Sequence, residues 1–211
     1  MSEKKQLSFK QTKRQRMFII SYLLFALILT IAFGTLEDPI RYTLSNIGNR
    51  FGWRARIMFI IWAVVSGSAI ETAFIFIMKL VNYSDKKTRM FIGLTTTSII
   101  LTALIPALQK ELPFWHTIHV ITSILIAIFF LMALVPLVQH ILTIIPDYKI
   151  FIYIWMFVIW AGSVLLLILY NLSAICEIWF FVSIMAFLIY LTFILYDQAM
   201  IESYHREQMN N

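Results

Sequence analysis

Long apolar runs alternate with short polar stretches along the whole chain. A helix crossing the hydrocarbon core of a bilayer needs about 20 apolar residues. Six runs meet that length, over about 17–34, 57–78, 90–109, 114–139, 150–170 and 178–196. The fourth is long enough to tilt or bend, and Pro136 near its end fits that geometry. Connections between the last four runs are short, so these helices should pack as antiparallel neighbours. The pattern predicts an all-α fold, a six-helix transmembrane bundle over 17–197. A basic tail precedes it at 1–16 and a second tail follows at 198–211. Met1–Gln11 and Gln208–Asn211 are expected to be disordered. The basic stretch before Met17 has the look of a signal peptide, but the run that follows is long and lacks a small-x-small cleavage site, so it reads as a retained span.

Composition strengthens this reading. Apolar residues make up 61% of the 211 positions and charged residues 13%, about half the usual share for a soluble domain. So few charges could not cover a soluble protein of this size. The single cysteine, Cys176, allows no internal disulfide and no cysteine-based metal site. The formal charge of +6 lies in short segments between apolar runs, which points to topology signals and not to nucleic-acid binding. No Ser-His-Asp order, Gly-rich phosphate loop or His-Glu-x-x-His occurs, so nothing in the sequence calls for an enzyme.

Charge then sets an expected orientation. With six spans, the side holding the N-terminal tail carries twelve Lys and Arg residues, eight of them Lys, and the opposite side carries five. Cytoplasmic loops are enriched in Lys and Arg, so both termini are expected in the cytoplasm of a cell-membrane protein. Four of the five outer cations are arginines: Arg41, Arg50, Arg54 and Arg56. The last three sit in "LSNIGNRFGWRAR", residues 44–56. Arginine suits planar, two-pronged contact with phosphate or carboxylate. A plainer reading has Arg50, Arg54 and Arg56 snorkelling to outer-leaflet headgroups beside Trp53, with Glu37 and Asp38 pairing some of them.

The fourth span opens with "LPFWHTIHVITS". His116, His119 and Ser123 fall on one helical face, and the helix N-terminus adds partial positive charge. Ser45, Asn46, Arg50, Arg54, Arg56, His116 and His119 together could form an outer-face pocket for an anion such as a lipid phosphate. The plainer alternative makes the two histidines interface residues bonded to loop backbone. Zinc would need a third ligand from Glu37, Asp38 or Glu111, because His140 and His205 lie on the other side. Neither a metal nor haem nor any other cofactor is expected. Within the second span, Glu71 is costly in hydrocarbon. Thr95 and Ser98 of the third span lie at similar depth and could donate to it. That group is read as a proton or cation relay or as a satisfied interhelical hydrogen bond. Ser66, Gly67, Ser68, Gly162 and Ser163 mark close helix packing. At the cytoplasmic rim, Lys86, Lys87 and Arg89 suit anionic inner-leaflet lipid, and Asp197 ends the last span among Tyr190, Tyr196 and Tyr204.

The loop "YTLSNIGNRFG", a small-residue second span, a third span ending "LTALIPALQ" and a fourth starting with His form a joint pattern. It resembles the six-span bacterial membrane family called domain of unknown function 998, and is more distantly similar to the FRAG/DRAM/Sfk-like membrane proteins. Ser45, Ile47 and Gly48 match that family's Ser-x-Leu-Gly, with Ile for Leu. Pro106 takes the place of its proline, in an Ile-Pro where Phe-Pro is usual. His116 or His119 takes the place of its histidine. The resemblance implies a compact six-helix bundle, and the eukaryotic members suggest membrane-lipid organisation or stress-linked roles. Alkaline ceramidases are a rival likeness, but they need one Asp, three His and a Ser on seven spans, a set mostly unmet here.

The expected function is therefore that of a non-enzymatic multi-pass membrane protein binding or sensing a lipid headgroup or another anion at its outer face. The alternatives are a membrane-embedded lipid hydrolase or transferase using His116 and His119, and a proton-coupled carrier using Glu71. Expected partners are membrane lipids, anionic phospholipid among them, and a membrane protein, with no nucleic acid.

Overall fold

A computed structural model describes the chain from Glu3 to Met209, with side chains from Thr12 to Gln198. The described residues form seven α-helices and one short 3-10 turn: α1 (Glu3–Gly34), α2 (Leu44–Arg50), α3 (Gly52–Leu80), α4 (Lys86–Leu104), α5 (Pro113–Ile144), the turn Pro146–Tyr148, α6 (Lys149–Tyr170) and α7 (Ala174–Met209). Five of them, α1, α3, α5, α6 and α7, are long and apolar enough to cross a membrane.

The helix boundaries follow local chemistry. Helix α1 begins at Glu3, so most of the stretch expected to be disordered up to Gln11 is helical backbone. Its Lys, Gln and Arg are good helix formers, and extending an existing helix avoids the cost of nucleation. At the other end α7 runs on to Met209, and the expected disorder of Asn210 and Asn211 lies outside the described residues. Helix α4 stops at Leu104, short of the expected end at 109, with Ile105 in extended geometry (φ −83°, ψ 129°). Pro106 follows, and the residue before a proline is pushed out of the helical region. Helix α5 continues through Pro136 to Ile144.

Pairs of contacts fix the directions. Helix α1 runs antiparallel to α3, with Tyr22 on Ser68 and Phe33 stacked on Phe59 at 5.6 Å. Helix α4 runs antiparallel to α3, with the Thr96 hydroxyl donating to the Gly67 carbonyl at 3.2 Å. It also runs antiparallel to α5, with Thr102 donating to Thr122 at 2.9 Å. Helices α3 and α5 therefore run in the same direction. Helix α7 closes the bundle on α1, where Gly34 lies against Ile178 and Arg16 pairs with Asp197 at 3.4 Å.

Small residues make the close approaches. Added to Gly67, a Cβ would sit 3.3 Å from Thr96, and one added to Gly162 would overlap the Trp179 indole. Small residues at helix interfaces let backbones approach where lipid supplies no hydrophobic drive. An aromatic cluster ties three helices together. Trp62 stacks on Phe59 with centroids 5.5 Å apart, meets Phe181 of α7 edge-on at 5.0 Å, and donates its indole N–H to Thr30 of α1 at 2.9 Å. One end of the bundle carries Arg50, Arg54 and Arg56, and the other carries Arg16, Lys79, Lys86, Lys87 and Arg89. We call these the arginine end and the lysine end.

Candidate functional site at the arginine end

The segment between α1 and α3 is a built element. Helix α2, which apolar periodicity alone did not reveal, is seven residues long. Its N-cap Thr43 accepts the Asn46 N–H at 3.0 Å, as a side-chain oxygen at that position commonly does. The Leu44 N–H donates to the Glu177 carboxylate of α7 at 2.6 Å. In return the first N–H groups of α7 find loop carbonyls: Ala174 N–H donates to Tyr42 at 2.6 Å and Ile175 N–H to Pro39 at 3.0 Å. Gly48 abuts Phe59 so closely that a Cβ would lie 2.6 Å from the ring. Gly52, with φ +88°, makes the turn from α2 into α3, a backbone conformation that strains any residue with a Cβ.

The seven residues expected to form one anion pocket separate into three groups. Ser45 and Asn46 belong to the first turn of α2. Ser45 is buried with its hydroxyl 2.9 Å from that of Thr43, so its polar group faces the cap. Arg56, His116 and His119 do come together, since Arg56 and His119 reach the adjacent carbonyls of Leu104 and Ile105 and His116 lies one turn before His119 on α5. Two of the three are bound to protein carbonyls. Arg56 donates from Nη1 to Asn49 at 2.7 Å and from Nη2 to the Leu104 carbonyl at 2.6 Å. Asn49 in turn donates to the Ser45 carbonyl at 2.6 Å. His119 bonds through Nδ1 to the Ile105 carbonyl at 3.2 Å; a carbonyl only accepts, so Nδ1 carries the hydrogen. The last carbonyls of a helix lack partners within it, and Arg56 and His119 supply them at the end of α4. His116 Nδ1 is buried without a hydrogen-bond partner.

Arg50 and Arg54 form the third group. Both are exposed and neither has an acidic partner. The Arg54 guanidinium lies 5.6 Å from the Trp53 ring centroid, and Trp53 is 69% exposed. Arg41, by contrast, pairs with Asp38 at 3.2 Å.

The same capping device recurs at the lysine end. His140 Nε2 donates to the carbonyl of Val81, the C-cap of α3, at 3.1 Å. Helix α5 thus carries a histidine near each end, and each closes the C-terminus of a different neighbour. The plainer expectation, histidines bonded to loop backbone, is met by His119 on Ile105, whereas the parts played by His140, Asn49 and Glu177 had no signal in the sequence. Their partners are backbone groups brought near only by tertiary packing, and no spacing in the sequence encodes them.

Glu71 does not meet the expected hydroxyls. The Thr95 hydroxyl donates to the Phe91 carbonyl of its own helix at 2.9 Å, and Ser98 is buried elsewhere on α4. The Glu71 carboxylate instead rests against Gly93, with Oε1 3.8 Å from where a Cβ would be. Among the described residues no three His, Cys, Asp or Glu side chains cluster in a way that could hold a metal. No family model, curated protein or solved structure matches the chain.

Proposed function

We propose that this is a six-span, non-enzymatic membrane protein that holds anionic lipid headgroups at its outer face through Arg50 and Arg54. The observation that carries the reading is a division among the arginines. Arg41 and Arg56 are bound to protein groups, while Arg50 and Arg54 stand exposed without an acidic partner on either side of Trp53. Trp at the membrane interface anchors depth, and unpaired guanidinium groups there suit phosphate. Locking α2 between α3 and α7 holds these two arginines in place, so less ordering is needed when a headgroup binds.

The span count rests on direction. Helices α3 and α5 run the same way, so if both cross the bilayer, the chain between them must return across it. Helix α4, at 19 residues, spans about 28 Å at 1.5 Å per residue, close to the hydrocarbon thickness. The excess of Lys and Arg at the lysine end supports a reading with both termini on the cytoplasmic side of a cell membrane. The hydrolase alternative loses support from the commitment of His119 Nδ1 to a helix end.

The test is lipid co-purification from nanodiscs made of equal phosphatidylglycerol and phosphatidylcholine, read by native mass spectrometry. The wild-type chain should retain phosphatidylglycerol preferentially, and Arg50→Gln with Arg54→Gln should reduce that preference by about tenfold, as expected for losing two charge-assisted contacts. Unchanged retention in the double variant rejects the reading.

A further inference from the structure

Helices α1 and α4 both pack on α3 but leave a strip of it uncovered. Its positions Ser68, Thr72 and Ile75 are only half-buried, between exposed Val64 and Lys79. Glu71 lies on the α4 side of this strip, also half-buried, against the Cβ-free backbone of Gly93. Thr97, one helical turn beyond Gly93, is exposed and bonded to the Gly93 carbonyl at 2.9 Å. On the far wall Tyr22 of α1 reaches the Ser68 hydroxyl at 2.6 Å. The result is a half-exposed strip of α3 between α1 and α4, bordered by hydroxyls, with a carboxyl on its α4 side; we refer to it as the cleft.

That carboxyl has no internal partner. The ion pairs among the described residues are Arg16–Asp197 and Arg41–Asp38, and no hydrogen bond reaches Glu71. It lies nine residues before Leu80, the end of α3, which is about 13 Å at 1.5 Å per residue, too deep for a short side chain to reach headgroups. Ionisable groups at such depth pair with one another or with backbone carbonyls. Arg16 of α1 comes nearest to this level but is committed to Asp197 and to the rings of Phe193 and Tyr196 on α7, and the other described Lys and Arg residues lie nearer the two ends of the bundle. A second copy would bring the same acid and no base.

We propose that the cleft between α1 and α4 docks a transmembrane helix of a different membrane protein, one that carries a Lys or Arg at the depth of Glu71. Gly93 supplies the notch that lets the incoming backbone approach, Glu71 supplies the counter-charge, and Thr97, Thr72 and Ser68 border it with hydroxyls. Pairing gives both ionised groups the partner each lacks in hydrocarbon. This docking site is separate from the headgroup site at the arginine end.

The experiment uses the full-length protein in nanodiscs and two labelled Leu-rich transmembrane peptides, one with a single central Lys and one all-Leu, with association read by energy transfer. The Lys peptide should bind about tenfold tighter than the all-Leu peptide, in line with about 1–2 kcal/mol for an interhelical polar contact in lipid. Glu71→Gln should remove that difference. Gly93→Leu, which fills the notch and keeps the carboxyl, should remove it too, and serves if Glu71→Gln lowers the yield of folded protein. Equal binding of the two peptides to the wild type overturns the proposal. So does self-association of the protein that Glu71→Gln abolishes, which would make a second copy the occupant.

Discussion

Helices α3 and α6 are both apolar enough to cross a bilayer, yet they occupy opposite places in the molecule. Of the most apolar stretch of α3, 56% is buried within the protein, against 11% for α6. Helix α3 buries Ala63, Ser66, Gly67, Ala69 and Ala73 and touches α1, α2, α4 and α7. Helix α6 packs mainly on α7 and points Phe157, Leu165 and Ile168 outward. In water the more hydrophobic helix would be the inner one. In lipid, burying a Leu side chain against another helix gains little over leaving it against acyl chains, so the interior goes to residues that allow close approach or hydrogen bonding. The difference teaches that hydrophobicity alone does not select what is inside: the less apolar helix is the inner one, and its buried face interleaves small residues with large ones such as Phe59, Trp62 and Phe74.

The sharpest way to break the contrast is at Trp62, which is 4% exposed and joins α1, α3 and α7. Trp62→Ala should cost about 3–5 kcal/mol, the usual range for removing a buried large aromatic. It should appear as a large fall in the thermal midpoint of the detergent-solubilised protein. Arg56→Gln comes next. It leaves the Leu104 carbonyl and Asn49 without their donor, and unsatisfied groups of this kind cost about 1–3 kcal/mol. The loss should be visible by the same melt, and Arg56→Lys should restore only part of it, because one ammonium cannot reproduce the two-pronged geometry.

A smaller effect is expected at Asp85, the N-cap of α4. Its carboxylate accepts the Thr88 hydroxyl and the Thr88 N–H, each at 2.7 Å, and the hydroxyl bond above all holds its pKa below the ordinary 3.8. A lowered folded-state pKa means that this stabilisation is fully present above the ordinary value and disappears as pH falls through the folded one. The wild-type midpoint should carry an acid-side decline below about pH 4 that is reduced in Asp85→Ala. The smallest effect belongs to α6. Ile168 is 73% exposed, and Ile168→Ala should change stability by less than about 0.5 kcal/mol. A loss comparable to that of Trp62→Ala would mean that α6 is packed against something in the membrane, and the contrast with α3 would fail.

The long helices were legible from the sequence because length and apolarity are local properties. The apolar runs over 57–78 and 150–170 lie inside α3 and α6, and Pro106 ends α4 for a reason visible in two residues. What stayed hidden is relational. Arg56 and Arg54 have the same charge and sit two residues apart, but one reaches Asn49 and Leu104 while the other lies over Trp53. That outcome depends on where the end of α4 comes to rest. The expected pocket is divided for the same reason: its members share one end of the bundle, yet Ser45 faces the Thr43 cap, Arg56 and His119 face the end of α4, and Arg50 and Arg54 stay exposed. Helix α2 escaped notice because seven residues carry too little periodicity, and its stability comes from Glu177, more than a hundred residues away.

The pairing of Arg16 with Asp197 spans 181 positions of sequence, and Arg16 also lies over Phe193 and Tyr196 of the last helix. During synthesis these partners do not yet exist when α1 leaves the ribosome. The neighbouring helices α3, α4 and α5 follow one another in sequence and pack pairwise, while α1 keeps one flank uncovered until α7 is made. A chain stopped before residue 174 would leave that flank unsealed, along with the loop carbonyls that α7 reaches. The Arg16 contact therefore forms only once α7 has been made.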